Sequence, residues 1–214
     1  MGLFNFFFKN RKNGTDVSLS VTPGENPGDF SADLYEISSC YDFVSRSAHA
    51  LEVKGDAEKL RGLLDVYPGF RSFVKDAFRA DGELPPLVPC RDVLPELLMR
   101  FGRWAEAEGV IRECISLRAY GHTEYRDSRD HNGFWVEESG DAEIKTLRLR
   151  RAVADGALAF LTENPGVLQS KIYKQPSLSG LDHDALVWFC RSSHQIRKVK
   201  AEKTNKLYPA EMLE

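Results

Sequence analysis

The segment Tyr120–Asp141 concentrates side chains that can transfer protons or bind metal ions. Between its ends it carries His122, Glu124, Tyr125, Asp127, Asp130, His131, Glu137 and Glu138. The two histidines are nine residues apart, which is neither the i,i+4 helix pair of a zinc protease nor a zinc-finger spacing. A calcium-loop pattern begins at Ser128, but serines stand at its first and twelfth positions, where Asp and Glu are required. We therefore expect a polar connection without a catalytic or metal site, in which the apolar run Phe134–Val136 forms a short strand or a packed turn.

Other enzyme motifs are missing from the sequence. There is no G-x-G-x-x-G, Walker or G-x-S-x-G pattern, and Ser72-x-x-Lys75 has no companion motif. The cysteines Cys40, Cys90, Cys114 and Cys190 stand alone, without a zinc-type pair. These observations predict a non-enzymatic protein without cofactor, with reduced thiols and a cytoplasmic location.

Basic side chains near the C-terminus are of the type that contacts phosphate groups. Six of them lie between Arg191 and Lys206, where only Glu202 opposes them. The predicted nucleic-acid-binding residues are Lys171, Lys174, Arg191, Arg197, Lys198, Lys200, Lys203 and Lys206.

The formal net charge of −3 hides a division within the chain. Residues 1–144 carry 17 Lys or Arg and 25 Asp or Glu. Residues 145–214 carry 12 Lys or Arg and 7 Asp or Glu. An acidic part of charge −8 joined to a basic part of charge +5 indicates two modules with different partners.

The secondary structure predicted for the basic part, residues 145–214, consists of three helices and a β-hairpin. Apolar spacing predicts a helix over 145–162, a short helix over Val167–Lys174 and a third helix from Leu181 to about Ser193, capped by Asp182. The segments 195–200 and 204–208 alternate in the manner of a β-hairpin.

This order, with Leu168–Lys174, Leu186, Ile196–Lys200 and Thr204–Tyr208, resembles the winged helix-turn-helix family over residues 148–209. The resemblance implies that the third helix enters the DNA major groove and the hairpin contacts the backbone. His194 and a hairpin turn without glycine depart from the usual pattern.

The acidic part has apolar residues at helical spacing from Ser31, a predicted N-cap, to Leu117. Its second hairpin, residues 93–118 with Gly102 and Trp104 at the corner, weakly resembles a tetratricopeptide hairpin. That resemblance implies a peptide-binding surface, while an ordinary helical bundle explains the same spacing.

We thus predict a mainly α fold, with a helical-hairpin body followed by a small C-terminal winged-helix module. The predicted divisions are an apolar start and linker (1–30), an acidic helical domain (31–120), a polar connection (121–144) and a basic domain (145–214). The start resembles that of bacterial cytosolic proteins, and its phenylalanines and lysines leave a membrane-interface role open. We expect no membrane span.

The predicted function is DNA binding or regulation by the basic module, with a protein partner for the helical body. Two alternatives stay open: an adaptor that binds only proteins, and an enzyme that uses the polar 120–141 segment. The sequence leaves the oligomeric state open.

Overall fold

The computed structural model of this chain describes residues 27–80, 84–85, 87–120 and 129–210. It confirms a mainly α fold with a small C-terminal α+β module. The helices of the first part are α1 (Pro27–Glu52), α2 (Asp56–Val66), α3 (Phe70–Ala80), α4 (Pro89–Asp92), α5 (Leu94–Arg100) and α6 (Trp104–Ser116), with a 3₁₀ turn at Tyr67–Gly69. The predicted start and linker, apart from the first residues of α1, lie outside the described residues.

The helical body, which we define as residues 27–120, forms around buried apolar stripes. Phe43 of α1 stacks on Phe73 of α3, with ring centroids 4.4 Å apart. Pro95 lies in the first turn of α5, where its missing N–H is tolerated, and the corner at Gly102 leads into α6, as predicted. The predicted N-cap at Ser31 is wrong, because α1 begins at Pro27.

The long helix α7 (Arg129–Glu163) joins the body to the C-terminal module. The predicted helix over 145–162 is only its second half. A short strand or packed turn expected at Phe134–Val136 is wrong, since these residues are helical. Most of the predicted polar connection is therefore the first half of a helix.

The C-terminal module, which we define as residues 145–210, adds short elements to the end of α7. They are β1 (Val167–Leu168), α8 (Gln169–Ile172), a 3₁₀ turn (Pro176–Leu178), α9 (His183–Ser192), β2 (Ile196–Lys200) and β3 (Asn205–Pro209). The antiparallel sheet has the order β1-β3-β2. Val167 and Leu168 thus belong to a strand, whereas the sequence placed them in the second helix.

Buried apolar side chains of the body and the module form one continuous cluster. It runs from Phe43 through Leu98 and Ile111 to Leu147, Phe189 and Leu207. A shared core holds the two parts in a fixed arrangement. Within the described part of the chain, no helix combines the length and apolarity needed to cross a membrane.

Candidate nucleic-acid interface

Helix α9 is anchored at its start and along one side. The Asp182 carboxylate accepts a hydrogen bond of 2.8 Å from the Ala185 backbone N–H, which confirms the predicted N-cap. One side of the helix packs against the core of the module through the buried residues Leu186, Phe189 and Cys190. His183, Asp184 and Arg191 remain exposed on its outer side.

The β2–β3 hairpin distributes its basic residues over both faces of the sheet. The core-facing side of the sheet is marked by three buried residues, Ile196, Leu207 and Pro209. Because side chains alternate along a strand, Lys198 and Lys200 lie on this same side, nearer to the hairpin turn. Arg197 and Lys206 occupy the opposite face together with Val199 and Tyr208. The hairpin can therefore meet a polyanion along its edge as well as on its outer face.

All eight predicted nucleic-acid-binding side chains are solvent-exposed. Lys171 lies on α8 and Lys174 just after it, Arg191 in the last turn of α9, and Lys203 in the hairpin turn. The other four lie on β2 and β3, so the eight come from four neighbouring parts of one small module.

Lys198 has a structural partner that distinguishes it from the other lysines. Its Nζ donates a hydrogen bond of 2.5 Å to the Arg191 carbonyl, near the C-terminal end of α9. A cation at this end satisfies a free carbonyl and favours the helix dipole. Burial lowers the pKa of Lys198. Lys198 thus connects β2 to α9, in addition to any contact it makes with a ligand.

Trp188 lies on the side of α9 that faces the helical body. Its indole N–H donates a hydrogen bond of 2.8 Å to Glu96 Oε1 on α5. The Arg150 guanidinium lies 4.4 Å from the centre of the indole ring and also pairs with Glu96. Trp188 is therefore held between α5 and α7, and α9 presents its other side to solvent.

His194 and its neighbours make a second contact between body and module. The His194 ring stacks on Phe101, with centroids 4.3 Å apart, and its Nε2 lies 3.0 Å from Asp56 Oδ2. The His194 backbone N–H donates to the Arg100 carbonyl at 2.8 Å. Asp56 is the first residue of α2, and its carboxylate pairs with His194 and Arg100.

Gly102 lies where the body corner meets the module, and we expect Gly102→Ala to lower the free energy of unfolding by about 1–2 kcal/mol. Its φ of +72° is unfavourable for a side chain, and an added Cβ would lie 2.7 Å from the Gln195 side chain. Urea unfolding of both proteins measures the difference.

Gly109 offers a matched control, because it lies inside α6 with open space around an added Cβ. Gly109→Ala should raise stability by about 0.5–1 kcal/mol. Equal effects of the two substitutions would contradict this role of Gly102.

Glu96 makes the contact between body and module sensitive to acid. Burial opposes its ionisation, but the bonds from Trp188, Arg150 and Arg100 outweigh burial and lower the pKa of Glu96 below its ordinary value of 4.5. A depressed pKa in the folded state contributes stability above the ordinary pKa and loses it as pH falls through the folded value. We expect the free energy of unfolding to fall from about pH 5 to pH 3.

The Glu96→Gln variant should have a lower free energy of unfolding than the native chain at pH 7. Between pH 7 and pH 3 its free energy of unfolding should fall by less than that of the native chain. Urea titrations at a series of pH values test this. Parallel pH profiles for the two proteins would rule out Glu96 as a source of the acid sensitivity.

The side chains of the eight polar residues that first suggested catalysis lie outside the part of the chain that the structure describes. His122, Glu124, Tyr125 and Asp127 lie outside the described residues. The backbones of Asp130, His131, Glu137 and Glu138 belong to the first half of α7. Among the side chains that the structure describes, no group of three or more His, Cys, Asp or Glu could hold a metal ion.

The body–module contact is the part of this region that sequence reasoning missed. Trp188 and Glu96 are 92 residues apart, and His194 and Asp56 are 138 apart. Local sequence patterns do not predict contacts between residues so far apart in the chain. The only local indication was Trp188 itself, an aromatic residue on a face of α9 that the apolar spacing did not assign to the core.

Comparison of the chain with protein-family models, with curated proteins and with solved structures found no match.

Proposed function

We propose that this chain is a non-enzymatic DNA-binding protein whose C-terminal module is a winged helix. The main observation behind the proposal is that all eight basic side chains, which lie on or just after α8, on α9 and in the hairpin, are exposed to solvent. Phosphate groups are the ligands that such a set of lysines and arginines binds most generally.

The order of elements supports the same proposal. A helix (α7), a strand, a short helix, a capped helix and a hairpin follow one another, and the strand β1 pairs with the last strand of the hairpin. In winged-helix proteins the last helix enters the major groove and the hairpin contacts the backbone. Here α9 is that helix, and it offers Arg191, His183 and Val187 to the groove.

The helical body has a supporting role in this proposal. Its Glu96 and Asp56 fix α9 and the start of β2 from the side that faces away from solvent. We propose that the body sets the orientation of the DNA-binding surface and binds a protein partner with its acidic exterior, in a bacterial cytoplasm. The resemblance of α5 and α6 to a tetratricopeptide hairpin stays a prediction.

A protein adaptor is the rival function, and one observation favours it. Asp182 and Asp184 are exposed at the start of α9, where carboxylates would repel a phosphate backbone. An adaptor would bind an acidic protein through the lysines of the hairpin and leave duplex DNA unbound.

Fluorescence anisotropy of a labelled DNA duplex of about 30 base pairs, titrated with the full chain, tests the proposal. We expect binding with a dissociation constant of about 1–100 μM for an arbitrary sequence in low salt. The full chain is required, since removing the body would expose Trp188 and the ring face of His194. If the duplex stays unbound at low salt, the adaptor is the better account.

A further inference from the structure

Helix α9 carries a row of side chains on the side that faces away from the core of the module. Asp184, Val187 and Arg191 follow one another at steps of three and four residues, which are neighbouring positions on one face of an α-helix. We call these three residues the outer row of α9. Asp184 and Arg191 are exposed, and Val187 is half-buried. The opposite side of the helix consists of the buried residues Ala185, Leu186, Phe189 and Cys190. The outer row is therefore the part of α9 that a ligand can reach.

The two charged residues of the outer row differ from their neighbours in having no structural partner. The Asp182 carboxylate is used as the N-cap of α9, and the Trp188 indole is bonded to Glu96 on the body. Among the residues that the structure describes, the side chains of Asp184 and Arg191 make no hydrogen bond or ion pair. They are about two helical turns apart, roughly 10.5 Å along the axis, so neither compensates the charge of the other. The outer row thus offers one free acceptor and one free donor group.

Base edges in the major groove discriminate between these two groups. Cytosine presents the N4–H donor, from which a carboxylate accepts a hydrogen bond. Guanine presents the acceptors O6 and N7, which a guanidinium binds with two parallel hydrogen bonds. The acceptors of guanine and thymine repel a carboxylate, because an ionised carboxylate has no proton to donate. A carboxylate on the floor of the groove therefore selects a base, whereas the same group beside a phosphate only weakens binding.

We propose that the outer row of α9 gives this chain a DNA sequence preference, an inference that rests on the proposed DNA binding. Asp184 accepts a hydrogen bond from cytosine N4 in one C·G base pair, and Arg191 donates to guanine O6 and N7 in another. The spacing of the two residues along α9 equals about three base-pair steps of about 3.4 Å. Val187 lies between them and contacts the methyl group of a thymine. The preferred duplex contains two C·G pairs about three steps apart, with a T·A pair between them.

Selection of duplexes from a library with a random central segment of about 12 base pairs, by the full chain, tests this preference. We expect the selected duplexes to share the two C·G pairs. In anisotropy titrations of one selected duplex, replacing either C·G pair with T·A should weaken binding about fivefold or more. Binding without any preferred base would overturn the sequence preference and leave the proposed DNA binding standing. Absence of binding to every duplex would overturn both.

Asp184→Asn tests the role of the carboxylate through a change in the base that is selected. An asparagine side chain pairs with adenine N6 and N7, so the variant should select adenine where the native chain selects cytosine. The preference for guanine opposite Arg191 should remain. Arg191→Ala should show the reverse, with the guanine preference lost and the cytosine preference kept. Both variants should fold, because neither side chain has a bonded partner among the described residues to lose.

Glu163→Gln is the matched control for Asp184→Asn. Glu163 is exposed at the end of α7, outside α9 and the hairpin, and its substitution changes the total charge by the same amount. We expect this variant to select the same bases as the native chain. The proposal is overturned if Asp184→Asn still selects cytosine, or if Glu163→Gln changes the selected bases in the same way.

Discussion

Replacing Arg197, Lys200 and Lys206 together with glutamate is expected to weaken binding of duplex DNA by about 100-fold or more near 100 mM salt. The three side chains are exposed on both faces of the hairpin, and each substitution exchanges an attraction to phosphate for a repulsion. Lys198 is left intact because its bond to the Arg191 carbonyl holds β2 against α9. Anisotropy titrations of both proteins on one duplex measure the loss.

The matched control reverses three exposed arginines of the body: Arg46, Arg61 and Arg112. Each pairs within its own helix, with Asp42, Glu58 and Glu108 respectively, so the change in total charge is the same and the fold should persist. We expect less than about a fivefold effect on DNA affinity, from the change in net charge alone. Equal losses for the two triple variants would show that total charge, and not the hairpin, determines binding.

Trp188→Ala is expected to have the largest effect on stability, about 3 kcal/mol, which corresponds to a fall in Tm of about 6–12 °C for a chain of this size. The substitution empties the space between α5 and α7, and it leaves the Glu96 carboxylate and the Arg150 guanidinium without the indole. Thermal unfolding followed by circular dichroism gives the difference.

Two variants separate the origins of this effect. Trp188→Phe keeps an aromatic ring and loses the hydrogen bond, so it should cost about 1–2 kcal/mol. Val187→Ala, one residue earlier on α9, should cost less than about 1 kcal/mol because Val187 is only half-buried. If Trp188→Ala were no worse than Val187→Ala, the docking of α9 on the body would contribute little to stability.

The features that sequence analysis predicted well are those set by neighbouring residues. The cap at Asp182, the tolerance of Pro95 in the first turn of α5 and the corner at Gly102 each depend on contacts within a few positions. The hairpin from Ile196 to Pro209 follows the predicted pairing for the same reason. Exposure of the eight basic residues follows from the cost of burying unpaired charge.

The features that it missed depend on residues far apart in the chain. Val167 and Leu168 form a strand because they pair with Leu207 and Lys206, which no two-residue pattern can predict. Phe134–Val136 stands in a polar stretch and gave a strand-like pattern, yet these residues belong to the long helix α7. Glu96, Arg150 and Trp188 come together only in the folded chain, so their contact had no local sign.

The salt dependence of duplex binding by the full chain tests the central claim most directly. We predict measurable affinity at 50 mM salt and a logarithmic slope of affinity against salt concentration of about −3 to −6, as about four to six phosphate contacts require. The hairpin triple variant should reduce the magnitude of this slope by about 3. Absence of binding at 50 mM salt, or an affinity that does not change with salt, would contradict DNA binding by the basic module.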